Sequence, residues 1–202
     1  MRNLSFPFLL LTCSSLLGAI KPEPTRSEVY KTASGTELKI YIFEPKGLKA
    51  SDKRPAAVFF FGGGWNGGTP SQFYTHCEYL ASRGMVAMAA DYRVKSRQKT
   101  TPFECVKDGK SAIRWVRMNA AKLGVDPMRV ASGGGSAGGH VAAATGNVTG
   151  LEEEGEDLKV SSKPDALLLF NPVYDNSPEG YGHSRLKDRW KEISPMQNIR
   201  KG

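Results

Sequence analysis

Polar and apolar residues alternate from Leu38 to Phe43, the pattern of a strand at a sheet edge. Ala56 to Phe61 is instead an unbroken apolar run, which predicts a strand buried on both faces, and it stops at Gly62-Gly63-Gly64. Ser71 to Arg83 places Phe73, Cys77 and Leu80 on one helical face, with Gly84 closing the helix. A second buried strand follows at Met85 to Ala90. Thr101-Pro102 opens a long helix in which Val106, Ile113 and Val116 recur, and Gly124 ends it. Met128 to Ser132 predicts a short strand entering a glycine-rich turn, and Ser136 to Thr145 a helix of small residues. Leu151 to Lys163 reads as a charged surface loop and Ala166 to Phe170 as another buried strand. Past Asn171-Pro172 the chain becomes polar and irregular. Strands alternating with helices imply an α/β fold, a mostly parallel sheet with helices on both faces.

The N-terminus follows a different pattern. Arg2 precedes an uncharged apolar run from Leu4 to Ile20, and a polar segment begins at Lys21. That layout predicts a signal peptide over residues 1–20, an N-terminal tail over 21–34, and a secreted or periplasmic protein. Cys13 lies in a poor context for lipidation. No later stretch approaches the roughly 20 apolar residues needed to span a bilayer, so stable membrane insertion is not expected.

A chain of 202 residues with 40% hydrophobic and 24% charged content suits one globular domain. The net charge of +8 raises the question of an anionic partner, but the basic residues are scattered without aromatic interleaving, so no nucleic acid is expected. Outside the leader, Cys77 and Cys105 are too few and too far apart for a disulfide framework or a metal site; buried free thiols are expected, with no metal and no cofactor.

The turn Gly133-Gly134-Gly135-Ser136-Ala137-Gly138-Gly139 fits two patterns. As Gly-x-Gly-x-x-Gly it would cradle a dinucleotide, but that motif belongs to the first strand of its domain and needs an acid ending the next strand. As Gly-x-Ser-x-Gly it is a nucleophile elbow, where small neighbours allow a sharp strand-to-helix turn to expose the serine. The elbow explains more residues. It makes Ser136 the candidate nucleophile, with the Ala137 N–H at the helix start beside the developing oxyanion. About 70 residues upstream, Gly63 and Gly64 leave a buried strand where further oxyanion donors are needed. Gly109-Lys110-Ser111 is not a P-loop, since Glu104 stands where its glycine belongs.

With Phe61-Gly62-Gly63-Gly64-Trp65, Asp91-Tyr92-Arg93, Gly134 to His140 and Asn171-Pro172-Val173, the chain resembles the esterase/lipase-like α/β-hydrolases related to the hormone-sensitive lipase and feruloyl/acetyl-xylan esterase groups. The resemblance spans about residues 35 to 200. It implies a serine-dependent carboxylic-ester hydrolase acting through an acyl-enzyme on Ser136, with Gly63, Gly64 and Ala137 as the oxyanion hole. Trp65 and Tyr92 are expected as aromatic substrate-binding walls, and the partner as a small-molecule ester, with acylated sugars as one class. Phe61 stands where the family has histidine. The family's acid and base follow two further strands, so residues 35–202 are expected as a partial domain lacking the C-terminal strands and the triad Asp and His. Local substitutes are weak: His140 is helical, His76 precedes the elbow, an Asp175–His183 pair reads as a solvated loop pair, and Asp91 and Asp108 read as structural. The alternative is a non-catalytic fragment or binding domain that keeps the elbow.

Overall fold

The computed structural model describes residues 21–200, so the expected signal peptide lies outside the described residues. The strands are β1 (Arg26–Ala33), β2 (Thr36–Phe43), β3 (Arg54–Phe60), β4 (Val86–Ala90), β5 (Val125–Gly135) and β6 (Ala166–Phe170). The α-helices are α1 (Tyr74–Ser82), α2 (Lys95–Gln98), α3 (Pro102–Met118), α4 (Ala120–Leu123), α5 (Ala137–Asn147) and α6 (His183–Leu186). The sheet runs β1-β2-β4-β3-β5-β6. β1 and β2 form an antiparallel hairpin, β2 joins β4 antiparallel, and β4, β3, β5 and β6 are parallel.

Two of the unbroken apolar runs, in β3 and β4, take the centre of the sheet, where both faces are covered, whereas Ala166–Phe170 is not the buried strand expected but β6, at the sheet edge and half-exposed. Along β3, Ala56, Val58 and Phe60 join Ile113, Val116 and Val141 beneath α3 and α5. Ala57 and Phe59 face the other way, toward Phe73, Cys77 and Ala81 of the α1 layer. Cys77 and Cys105 are buried free thiols. Helix α3 starts where Thr101-Pro102 predicts. Glu104 accepts the Thr101 N–H at 2.7 Å, and the Thr101 hydroxyl caps the Phe103 N–H.

Three further expectations need correction. Residues 21–34 are not simply a tail, because Arg26–Ala33 is β1. Its faces alternate weakly, and the sheet, not local propensity, holds it: Tyr30 donates to Asp91 O at 2.7 Å and Lys31 reaches Asp108 at 2.7 Å. The long helix breaks at Asn119 into α3 and α4, and Gly124 closes the second piece in left-handed conformation, φ 64°. Last, the acids of the 151–163 loop are not idle surface charge. Helix α3 buries Asp108, Lys110 and Arg114, and Arg93 and Lys31 are buried beside them. Buried charges require partners. Glu152 binds Lys110 and Arg114, Glu153 binds Lys31 and Arg93, and Glu156 binds Arg114. The loop is a strap laid over a buried ion network.

Candidate active site

Four parallel strands end near the site, and the two central ones supply it. β5 runs alongside β3 with Phe60 opposite Gly134, and β6 sets Phe170 opposite Gly135. Where β5 turns into α5, Ser136 has φ 53° and ψ −120°, a backbone conformation that a non-glycine residue adopts only when its surroundings force it. Those surroundings use both of its peptide groups. The Ser136 N–H donates to Phe170 O at 3.1 Å, and Ser136 O accepts from His140 N and Val173 N at 3.0 Å each. The turn can be this sharp because Gly138 lacks a Cβ, which would overlap the carbonyl oxygens of Phe60 and Phe61. The serine is half-buried, at the open end of the sheet.

The glycine loop after β3 lies against it. A Cβ on Gly62 would sit 3.3 Å from Ser136 Cβ, and the Gly62 N–H is held by Gln72 Oε1 at 2.6 Å. Gly63 adopts φ 135°, open only to glycine, and its carbonyl accepts the N–H groups of Asn66 and Gly67. That tight turn leaves the Gly63 and Gly64 N–H groups without a partner among the described residues. Ala137 opens α5, where an N–H has no intrahelical acceptor. The positive end of the α5 dipole therefore lies beside Ser136, and the loop that carries the two unpaired donors meets the serine at Gly62.

The structure buries both aromatic residues expected as substrate walls. Tyr92 is fully buried and cannot be a substrate wall. Its hydroxyl donates to Phe61 O at 2.6 Å and its ring stacks on Phe61 at 4.2 Å, so it supports the glycine loop from below. Burial pushes the Tyr92 phenol well above its usual value, keeping it a donor. Trp65 is 2% exposed, edge-on to His140 at 5.0 Å and covered by Gly182 and Arg185. The aromatic surface beside the serine comes from residues the sequence did not single out. Phe73 is 3.5 Å from where a Gly135 Cβ would be, and it clusters with His76 and with Phe170, which is 42% exposed. Only register brings Phe170 here. Gln72, Tyr181 and Arg185 were missed too: Arg185 donates to Gly64 O, and the Tyr181 hydroxyl lies 3.2 Å from the position of a Gly64 Cβ.

No imidazole among the described residues is hydrogen-bonded to Ser136. His140 is fully buried with Nε2 3.0 Å from Ile193 O, and burial pulls its pKa down to about 4. His183 Nδ1 meets Asn176 O, not Asp175, whose carboxylate accepts from Ser177. Asp108 is engaged by Lys31 and Arg93, and Asp91 by Arg97. Among the described residues no group of three or more His, Cys, Asp or Glu side chains could hold a metal, and no helix is long and apolar enough to cross a membrane.

A strained serine between β5 and α5, beside a glycine loop leaving the adjacent parallel strand, defines an α/β-hydrolase. Known proteins agree. A family profile described as BD-FAE matches residues 40–177. Thermogutta terrifontis esterase 2, in a structure phosphoramylated by tabun, is 52% identical with a TM-score of 0.84, over 88% of this chain and 67% of that one. An AB hydrolase superfamily protein of Schizosaccharomyces pombe is 33% identical over 70% of this chain and 40% of its own length. Carboxylesterase NlhH of Mycobacterium tuberculosis is 32% identical over 54% of this chain and 33% of its own. The chain thus spans well under half the length of these two relatives. It belongs to the BD-FAE family, among the α/β-hydrolase esterases.

Proposed function

We propose that the protein is a carboxylic-ester hydrolase that works through an acyl-enzyme on Ser136. The observation that carries this is the Ser136 backbone, held at φ 53° against Gly62 of the loop whose Gly63 and Gly64 N–H groups have no partner among the described residues. In the reaction, Ser136 Oγ attacks the ester carbonyl carbon while its proton passes to a base. The carbonyl electrons move onto oxygen, and the Gly63, Gly64 and Ala137 N–H groups stabilise the resulting charge. Collapse of the tetrahedral intermediate breaks the ester C–O bond, and the leaving oxygen takes back the proton from that base as the alcohol departs. Water then repeats the sequence on the acyl-serine, freeing the acid and Ser136.

Supporting this, structural relatives named as esterases occur phosphoramylated by tabun and phosphorylated by paraoxon, and one has propionate bound. The substrate is then a small-molecule ester; an acylated sugar rests on the resemblance alone. Ser136→Ala should lower hydrolysis of p-nitrophenyl butyrate by about 10⁴-fold or more. Full activity in that variant would overturn the assignment. A second reading, a binding domain that keeps the elbow, is favoured by the absence of any described imidazole bonded to Ser136. Wild-type protein that neither hydrolyses esters nor reacts with a fluorophosphonate would establish it.

A further inference from the structure

Beside the glycine loop, on the flank formed by the start of α3 and the segment containing α6, lies a cleft of about 480 Å³. Gly64 forms part of its wall, so the cleft adjoins one of the proposed oxyanion donors. Three cations surround it: Lys95, Lys99 and Arg185. Among the described residues, none of the three is paired with a carboxylate. Glu104, in the first turn of α3, is turned onto the Thr101 N–H and hydroxyl, and Asp91 is engaged by Arg97.

Two residues of the wall also carry buried polar atoms that the fold leaves unsatisfied. Trp65 Nε1, on a side chain 2% exposed, has no hydrogen-bond partner, and neither has the buried Thr100 hydroxyl. Arg185 links the cleft to the loop. Its guanidinium donates to Gly64 O while lying over the rings of Trp65 and Tyr181, at 5.7 and 5.8 Å. Arg185 thus holds the Gly64–Trp65 peptide, the one directly after the peptide that carries the Gly64 N–H.

Resting on the Ser136 assignment above, we propose that this cleft selects esters bearing a carboxylate, which Lys95, Lys99 and Arg185 recognise next to the oxyanion loop. Neutral surroundings would have suited an alkyl ester; three cations without carboxylate partners around one cleft suit an anion. The carboxylate can belong to the acyl or to the alcohol part, and paired substrates separate the two. On the acyl side, the p-nitrophenyl monoester of glutarate is compared with p-nitrophenyl pentanoate. On the alcohol side, 4-acetoxybenzoate is compared with 4-methylphenyl acetate.

In at least one pair, kcat/KM for the anionic ester should exceed that for its neutral counterpart by about tenfold, as a charge-assisted hydrogen bond provides. The Lys95→Gln/Lys99→Gln protein should bring that ratio close to one, whereas Lys46→Gln, remote from the cleft, should leave it in place. A ratio near one in both pairs for wild-type protein, or a ratio that survives the double substitution, would overturn the proposal. Calorimetric titration of glutarate into Ser136→Ala protein reads the cleft without turnover. Binding weakened about tenfold by the added Lys95→Gln/Lys99→Gln change supports the proposal, and unchanged or absent binding counts against it. If Ser136→Ala kept full activity, the catalytic assignment and the substrate class would fall together, and the titration would still show whether the cleft takes carboxylates.

Discussion

Gly134 stands where β3, β5 and α5 meet, and replacing it with alanine tests whether close backbone approach builds the elbow. A Cβ there would lie 2.5 Å from both C and O of Gly138 and 2.6 Å from Phe60 O. Ordinary contact needs roughly 3.5 Å, so the backbones must part by about 1 Å. None of the three atoms belongs to a side chain that could swing aside. Two effects oppose each other. Alanine costs less chain entropy to order than glycine, which favours the variant by about 0.5–1 kcal/mol. Forcing bulk into a packed site costs about 1–3 kcal/mol, at the upper end or beyond where only backbone can yield. The overlap wins, and Gly134→Ala should lose about 2 kcal/mol in urea unfolding at pH 7. The displaced atoms belong to Gly138, one residue past the Ala137 donor, so ester hydrolysis should fall by about 10²-fold, the usual consequence of a 1 Å misplacement. Stability within about 0.5 kcal/mol of wild type, together with unaltered turnover, would refute the steric account.

Removing Asp108 should be severe, because its buried carboxylate serves Lys31 and Arg93 together: Asp108→Ala should cost about 3 kcal/mol or more, and an unfolding midpoint close to wild type would show the network to be dispensable. Stability should also fall with acid. Burial draws His140 from 6.5 to about 4, so the unfolded chain takes up its proton first and this contribution is lost as pH drops from 6.5 toward 4. For Glu153, burial alone would raise the pKa, but the Lys31 hydrogen bond and the charges of Lys31 and Arg93 outweigh it and hold the group at about 2, so its contribution is lost from 4.5 downward. Urea midpoints at pH 7, 5.5 and 4 should decrease in that order, with His140→Gln flattening the first step; a midpoint rising toward pH 5.5 would contradict the sign.

Much of the fold can be read from the chain because its central strands are continuous apolar runs and its turns carry glycine. Ala56–Phe61, Met85–Ala90 and Ala166–Phe170 all appear as parallel strands, and Thr101-Pro102 starts its helix at the expected residue. β1 escapes such a reading, since its weak alternation acquires meaning only once β2 and Asp108 are beside it. The same holds for the acids of the 151–163 loop, which look solvated until helix α3 is seen to bury the cations that they neutralise.

At the site, the local pattern determines the serine and its glycines, because a sharp turn needs small residues at fixed spacing within a few positions. The sequence alone thus places Ser136 on its turn and Gly63 and Gly64 after a buried strand. Only tertiary structure decides what surrounds them. Tyr92 becomes a buried prop, Trp65 is covered by Gly182 and Arg185, and Phe170 closes in from a neighbouring strand. These roles depend on register and packing between segments far apart in the chain, and no spacing within one segment encodes them.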